Sequence, residues 1–178
     1  MKTPAYILIG LGLLTSLTGC LNDEEHFTDF QNVGMLAEIP SSAFYGVEDY
    51  QQFISQTAPA LYAFDVNVAS PTPLSQDIAL TVAVNKAALD AYNANKGTSY
   101  QLLSPTLYQL SGLTTTVKAG TRLAPITVSF FSGKDKVPDL TAYNNARYAL
   151  PIRIIGAPTN VRISSNYSTK IIFPGIEK

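Results

Sequence analysis

Along most of this chain apolar residues recur at every second position, in short runs broken by Pro, Gly, Asn and Ser. Period-two patterning places apolar side chains on one face of a pleated strand, so each such run predicts a half-buried strand. A first strand is expected over Val33 to Ile39, closed by Pro40. A second covers Ala60 to Val68, with Leu61, Phe64, Val66 and Val68 as its apolar positions. The clearest alternation is Ile78, Leu80, Val82 and Val84 against Ala79, Thr81 and Ala83. Val117 belongs to a short strand that ends in a turn at Ala119-Gly120. Ile126, Val128 and Phe130 alternate with Thr127, Ser129 and Phe131, and Leu150, Ile152 and Ile154 with Pro151, Arg153 and Ile155. Lys170 to Phe173 is a last strand before Pro174-Gly175. About seven short strands with turns between them predict an all-β, antiparallel β-sandwich. Pro151 has no N–H to give a neighbour, which predicts an edge strand or a bulge there.

One stretch departs from period two. Asn85 to Asn93 is rich in alanine, opens on a good N-cap residue and stops at Gly97, so it predicts one short inserted helix. Leu89 and Tyr92 are three apart and can face the sheet together, with the helix covering one end of the sandwich. Gly120 is expected to serve a turn that needs positive φ.

The first twenty residues need a separate reading. Lys2 precedes an apolar run from Tyr6 to Leu17, which is short for a membrane span of about 20 residues and ends in small polar groups. This is the pattern of a signal peptide over 1–19. Leu17-Thr18-Gly19-Cys20 matches a lipobox, in which Cys20 receives a diacylglycerol and becomes the first mature residue. Buried acyl chains hold about 0.8 kcal/mol per methylene, so two or three chains anchor a protein durably. Residues 20–30 read as an acidic tether, since Asp23, Glu24 and Glu25 repel one another and stay solvated. Residues 31–178 form the expected sandwich domain.

Composition narrows the chemistry. A net charge of −1 gives no electrostatic reason to expect nucleic acid as a partner. The single cysteine is the lipidation candidate and the single histidine, His26, lies in the tether, so the common nucleophilic triads are absent. Carboxylates are available at Glu48, Asp49, Asp65, Asp77 and Asp90, but a small sandwich without a deep cleft offers no frame for a glycosidase pair. Asp135 and Asp139 lie near each other and could form a weak calcium site, but the lysines between them favour a solvated loop. The expectation is no enzyme, no cofactor and no metal. Binding remains. Tyr45, Tyr50, Tyr143 and Tyr167 stand in turn-rich segments beside Asn, Asp or Ser and are the candidates for exposed rings that stack on a sugar, although each could instead cover local backbone. The chain contains no Trp, which counts against a dedicated glycan platform.

The ordered string from residue 78 to 155 adds a resemblance. It runs from Val84-Asn85 into a helix with Leu89, Tyr92 and Asn93, then Gly97-Thr98-Ser99-Tyr100, Leu102-Leu103-Ser104-Pro105 and Tyr108. Lys118-Ala119-Gly120-Thr121, Ile126-Thr127-Val128 and Tyr148-Ala149-Leu150-Pro151-Ile152-Arg153-Ile154 follow. This string resembles the Bacteroidetes family called domain of unknown function 1735, the N-terminal module of many surface lipoproteins. The resemblance implies an immunoglobulin-like fold, with carbohydrate-active, carbohydrate-binding or adhesin-like relatives, and it carries no catalytic residues. The acidic cluster after Cys20 likewise resembles the signal that exports Bacteroidetes lipoproteins to the outer face of the outer membrane. Tyr92, Tyr100, Tyr108 and Tyr148 are expected to pack in the core with hydroxyls bonded to backbone. Two readings of function stand: a non-enzymatic cell-surface module for adhesion or glycan binding, or a structural subunit docking another outer-membrane or surface protein.

Overall fold

A computed structural model of the chain describes residues 34–40, 48–54, 59–131, 143–144 and 147–176, with backbone pairing alone for 48–54. The strands are β1 (Met35–Glu38), β2 (Glu48–Ile54), β3 (Ala60–Ala69), β4 (Ile78–Val84), β5 (Gln101–Leu102), β6 (Tyr108–Leu110), β7 (Thr114–Val117), β8 (Leu123–Phe130), β9 (Tyr148–Gly156), β10 (Val161–Ile163) and β11 (Thr169–Ile176). Among the described residues an α-helix, α1, spans Lys86–Lys96 between β4 and β5. Among the described residues no helix is long and apolar enough to cross a membrane.

The strands form two sheets, ordered β10-β1-β3-β8-β6 and β2-β11-β9-β4-β7, with β5 paired to β9 off that path. Their inner faces share one core that includes Val66, Val68, Ile126, Val128 and Phe130 from the first sheet and Ile78, Leu80, Val82, Leu150, Ile152 and Ile154 from the second. Each such side chain gains about 1.5–3 kcal/mol on leaving water, so this interlayer holds the two sheets together. The architecture is the expected all-β, immunoglobulin-like sandwich with one inserted helix. Its pairing is mainly antiparallel, but three pairs are parallel: β1 with β10, β2 with β11, and β5 with β9.

Three local expectations are corrected. In β3 the buried parity is Tyr62, Phe64, Val66 and Val68, while Leu61 is 70% exposed. Ala60-Leu61-Tyr62 is apolar in both parities, and the core takes the tyrosine. Pro151 lies in β9, an interior strand of its sheet, rather than at an edge. A strand residue turns its N–H and C=O to the same side. Asn85 N–H donates to the Pro151 carbonyl at 3.0 Å and Leu103 N–H to the Ala149 carbonyl at 3.0 Å. The donor that Pro151 lacks therefore points to the junction where β4 has ended and β5 has taken over, and no ladder bond is lost. The bulge in β9 falls elsewhere, where Thr81 pairs with Gly156 and Val82 with Ile154. Finally, β11 does not stop at Pro174-Gly175 but continues to Ile176 alongside β2. Its pairing with β9 ends at Ile172 opposite Leu150, so Pro174 too directs its missing donor beyond a finished neighbour.

The helix forms where the sequence predicts it. The Asn85 side chain accepts from Ala88 N–H at 2.8 Å, and Gly97 closes the helix at φ 66°. Its buried residues, Leu89 and Tyr92, pack with Ala149, Ile171 and Phe173 on the outward face of the second sheet. The helix covers a sheet face rather than an end of the sandwich. Gly120 has φ 75°, as its turn requires, and its N–H donates to the Leu74 carbonyl at 2.9 Å.

Candidate functional site

A cleft of about 310 Å³ opens where β1 ends, lined by Pro40, Tyr62, Ala63, Phe64, Asp65, Leu123 and Lys170. Its position follows from unequal strand lengths. β1 pairs with β3 only through residues 67–69, whereas β3 runs back to Ala60. Pro40 follows directly after Ile39 and cannot extend the ladder, since it has no N–H. The first half of β3 is therefore left beside the cleft.

Inward parity brings Tyr62 and Phe64 to one face of β3, with ring centroids 6.0 Å apart and planes inclined by 28°. Lys170 comes from β11 in the other sheet and is only 2% exposed. Its Nζ stands 5.3 Å from the Tyr62 ring centre and 5.8 Å from that of Phe64. Two aromatic quadrupoles thus face a cation that burial has stripped of water. Asp65, exposed, contributes a carboxylate, and Leu123, 51% exposed, an apolar wall. The lining combines an anion, a cation, two rings and apolar walls, a mixture suited to a small polar ligand with apolar faces.

The four tyrosines expected to bind fare differently. Tyr143 is a core residue, 1% exposed, and this corrects its assignment to the surface. Its hydroxyl is shared between the carbonyls of Leu107 and Phe131, 2.8 Å from the latter, and its ring meets Phe130 edge-on at 6.3 Å. Burial pushes its pKa up to about 12. Tyr167 is half-buried in the loop before β11; its N–H donates to Ser164 Oγ at 3.0 Å and its carbonyl accepts from Ile39 N–H at 2.7 Å. This staple ties together the chain segments that deliver Pro40 and Lys170 to the cleft. Tyr50 pairs in β2 with Ile172. Tyr45 lies outside the described residues, as do Cys20, Asp135 and Asp139.

Other sequence candidates have structural partners. Asp90 pairs with Lys86 at 2.7 Å along the helix, and Asp77 with Lys118 at 2.7 Å. Glu48 and Asp49 sit in β2 in register with Lys170 and Ile171. Tyr92, Tyr100 and Phe173 form an aromatic group in which the Tyr100 and Phe173 centroids are 4.7 Å apart. Tyr108 and Tyr148 pack against the main core, half-buried. Among the described residues no three His, Cys, Asp or Glu side chains cluster to hold a metal. The cleft residues Tyr62 and Lys170 escape a reading by composition, yet a signal was present: Lys170 shares strand parity with the buried Ile172.

A family model described as an N-terminal domain matches residues 39–161. The chain belongs to this family, the Bacteroidetes domain of unknown function 1735. The match takes in β2 to β9, with the inserted helix and most of the cleft. No curated protein matches the chain. Among solved structures, one similar protein is a Bacteroides ovatus protein proposed to bind carbohydrate, at 19% identity and a TM-score of 0.58, covering 80% of this chain and 37% of that one. A second is a Bacteroides ovatus multidomain protein that includes domain of unknown function 1735, at 17% identity and a TM-score of 0.56, covering 80% and 45%. A third is Bacteroides thetaiotamicron EndoBT-3987, solved with Man5GlcNAc product, at 18% identity and a TM-score of 0.52, covering 78% and 30%. At these identities the likeness establishes the family's shared fold. This chain spans less than half the length of each of the three.

Proposed function

We propose that this chain is a non-enzymatic glycan-binding module, held at the cell surface by a lipid on Cys20. The observation that carries the reading is the cleft, in which Tyr62, Phe64, Asp65 and Lys170 gather ring, anion and cation at the end of β1. Hydroxyl-rich ligands are held by such mixtures: carboxylate and ammonium groups bond the hydroxyls, and apolar walls take the C–H faces. The fold neighbours support it, because one is proposed to bind carbohydrate and another holds a glycan product. Among the described cleft residues Asp65 is the single carboxylate, whereas glycoside hydrolysis ordinarily needs a pair. Binding therefore fits this lining better than turnover. Tyr167 is proposed to flank the bound glycan, since its carbonyl accepts from Ile39 N–H in the segment that delivers Pro40 to the cleft.

A glycan array probed with the soluble form lacking residues 1–20 tests the reading. Saturable binding to a defined glycan class supports it. A second reading, docking to a neighbouring surface protein, draws on the exposed Leu61 and Leu123 of the first sheet. An array without hits, together with co-purification of a membrane protein through that sheet, would favour docking instead. Membrane attachment through Cys20 rests on the Leu17-Thr18-Gly19-Cys20 signature, and mass spectrometry of the native N-terminus reads the acyl groups directly.

A further inference from the structure

Along the cleft, β3 carries backbone hydrogen-bonding groups that no strand among the described residues pairs. Val68 N–H donates to the Arg122 carbonyl at 2.9 Å, so Val68 turns its backbone groups toward β8. Antiparallel pairing alternates this direction residue by residue. Tyr62, Phe64 and Val66 therefore also face β8, and Ala63, Asp65 and Asn67 turn their N–H and C=O toward β1. Asn67 finds its partner there, opposite Glu38. Ala63 and Asp65 lie past the end of that pairing, and among the described residues no strand pairs with them from that side. Both line the cleft.

Four backbone groups, the N–H and C=O of Ala63 and of Asp65, thus lie along the cleft edge of β3, next to the outward Asp65 carboxylate, while Lys170 lies over the inward Tyr62 and Phe64 rings. Donors and acceptors alternate along such an edge at the strand repeat, about 6.6–6.8 Å for residues two apart. Pro40 after β1 and Leu123 at the start of β8 stand on opposite sides of β3, which gives the opening two apolar flanks. A cleft of about 310 Å³ is at the small end of ligand pockets, enough for one or two sugar rings and too little for a long chain.

We propose that this cleft is an end-on subsite for the terminal pyranose of a neutral glycan. Vicinal hydroxyls of that ring bond the Asp65 carboxylate and the edge groups of Ala63 and Asp65, and Pro40 and Leu123 flank it with apolar surface. This rests on the glycan-binding reading above and adds the place, the residues and the size of the unit recognised. An anionic sugar is disfavoured because Asp65 stands in the opening.

The test is calorimetry on the soluble form lacking residues 1–20. Its probes are the methyl glycosides of glucose, galactose, mannose and N-acetylglucosamine, and their oligosaccharides of two to six units. One glycoside class is expected to bind, with affinity that stops rising at the second ring. Asp65→Ala should weaken it at least about tenfold, as expected for loss of a charge-assisted hydrogen bond. Ala63→Trp, placed on the exposed side of the strand, should abolish binding while leaving the melting temperature close to that of the parent. Lys170 is left unaltered because its burial makes substitution there a folding test. If oligosaccharides bind but both variants bind as the parent does, the subsite is wrong and the glycan-binding reading stands. Affinity that climbs steadily through the hexasaccharide likewise overturns end-on recognition. If no probe binds the parent, the broader reading fails and takes the subsite with it.

Discussion

The Asn93 side chain holds Tyr100 by both of its backbone groups: Nδ2 donates to the Tyr100 carbonyl at 2.9 Å, and Oδ1 accepts from the Tyr100 N–H at 3.0 Å. Oδ1 also accepts from Thr98 Oγ1 at 2.9 Å. One amide thus does for Tyr100 what a neighbouring strand would do, and it fixes the exit from α1. Tyr100 can then set its ring against Phe173, which seals the helix onto the outward face of the second sheet.

Asn93→Ala should therefore destabilise the domain by about 2 kcal/mol, the combined worth of two partly buried hydrogen bonds. Asn93→Asp should cost at least as much near neutral pH, because it faces a carboxylate oxygen against the Tyr100 carbonyl. Urea denaturation reads both. An unchanged midpoint for Asn93→Ala would show that the helix exit is held by the aromatic contacts alone.

Tyr143 makes a prediction at the opposite end of the pH scale. Its folded pKa is raised to about 12 by burial, above the ordinary value of 10.0. The folded state therefore keeps a proton that the unfolded chain gives up. This contribution is complete below pH 10 and is lost as pH climbs from 10 toward 12, at roughly 1.4 kcal/mol per pH unit. Tyr143→Phe should be less stable by about 1–2 kcal/mol at neutral pH, since it strands carbonyl oxygens in the core. The gap should narrow above pH 10. Denaturation midpoints of the two proteins between pH 8 and 12 check this.

Asp77 tests the acid side. Its carboxylate accepts from Lys118 Nζ at 2.7 Å and from Ala119 N–H at 2.9 Å, and these bonds, that of Lys118 first, lower its pKa below the ordinary 3.8. The stabilisation it gives to the 118–121 turn is present above the unfolded carboxylate's pKa and disappears as pH falls through the lower folded value. In carbon-detected NMR titrations Lys118→Met should move the Asp77 titration upward. An unmoved titration would assign the shift to the Ala119 N–H alone.

How much of this was legible in the sequence depended on whether a segment's neighbours mattered. Ile78 to Val84 and Ile126 to Phe130 alternate cleanly, so strand and buried face could both be read. The helix was equally legible, because Asn85 and Gly97 are local signals that act on their own backbone. Leu61 was not, since Ala60-Leu61-Tyr62 satisfies either parity and only packing across the sandwich selects Tyr62. Glu48–Ile54 carries too few alternating apolar residues to announce β2, which forms because β11 offers it a parallel edge. Pro151 and Pro174 suggested an edge and a stop. Each is accommodated inside its strand because the neighbouring ladder has ended on the side where its N–H would point. Tyr143 stands among Asn residues and reads as a surface ring, yet Leu107 and Phe131, remote in sequence, supply acceptors that bury it. The cleft was the least legible feature, because it depends on β1 stopping short of β3 and on a lysine arriving from the other sheet.

Membrane attachment has its own prediction. Cys20→Ser should shift the protein from the membrane fraction to the soluble fraction and leave the thermal stability of the domain unchanged. A Cys20→Ser form that still sediments with membranes would contradict lipid anchoring through that sulfur.

Saturation-transfer NMR on a glycan selected by the array, followed over a day with the soluble domain present, most directly tests a binder without chemistry. The account predicts strong transfer from protein to the protons of the terminal ring, with the anomeric signals of the glycan unchanged throughout. New anomeric signals from cleaved sugar, or no transfer to any glycan offered, would contradict it.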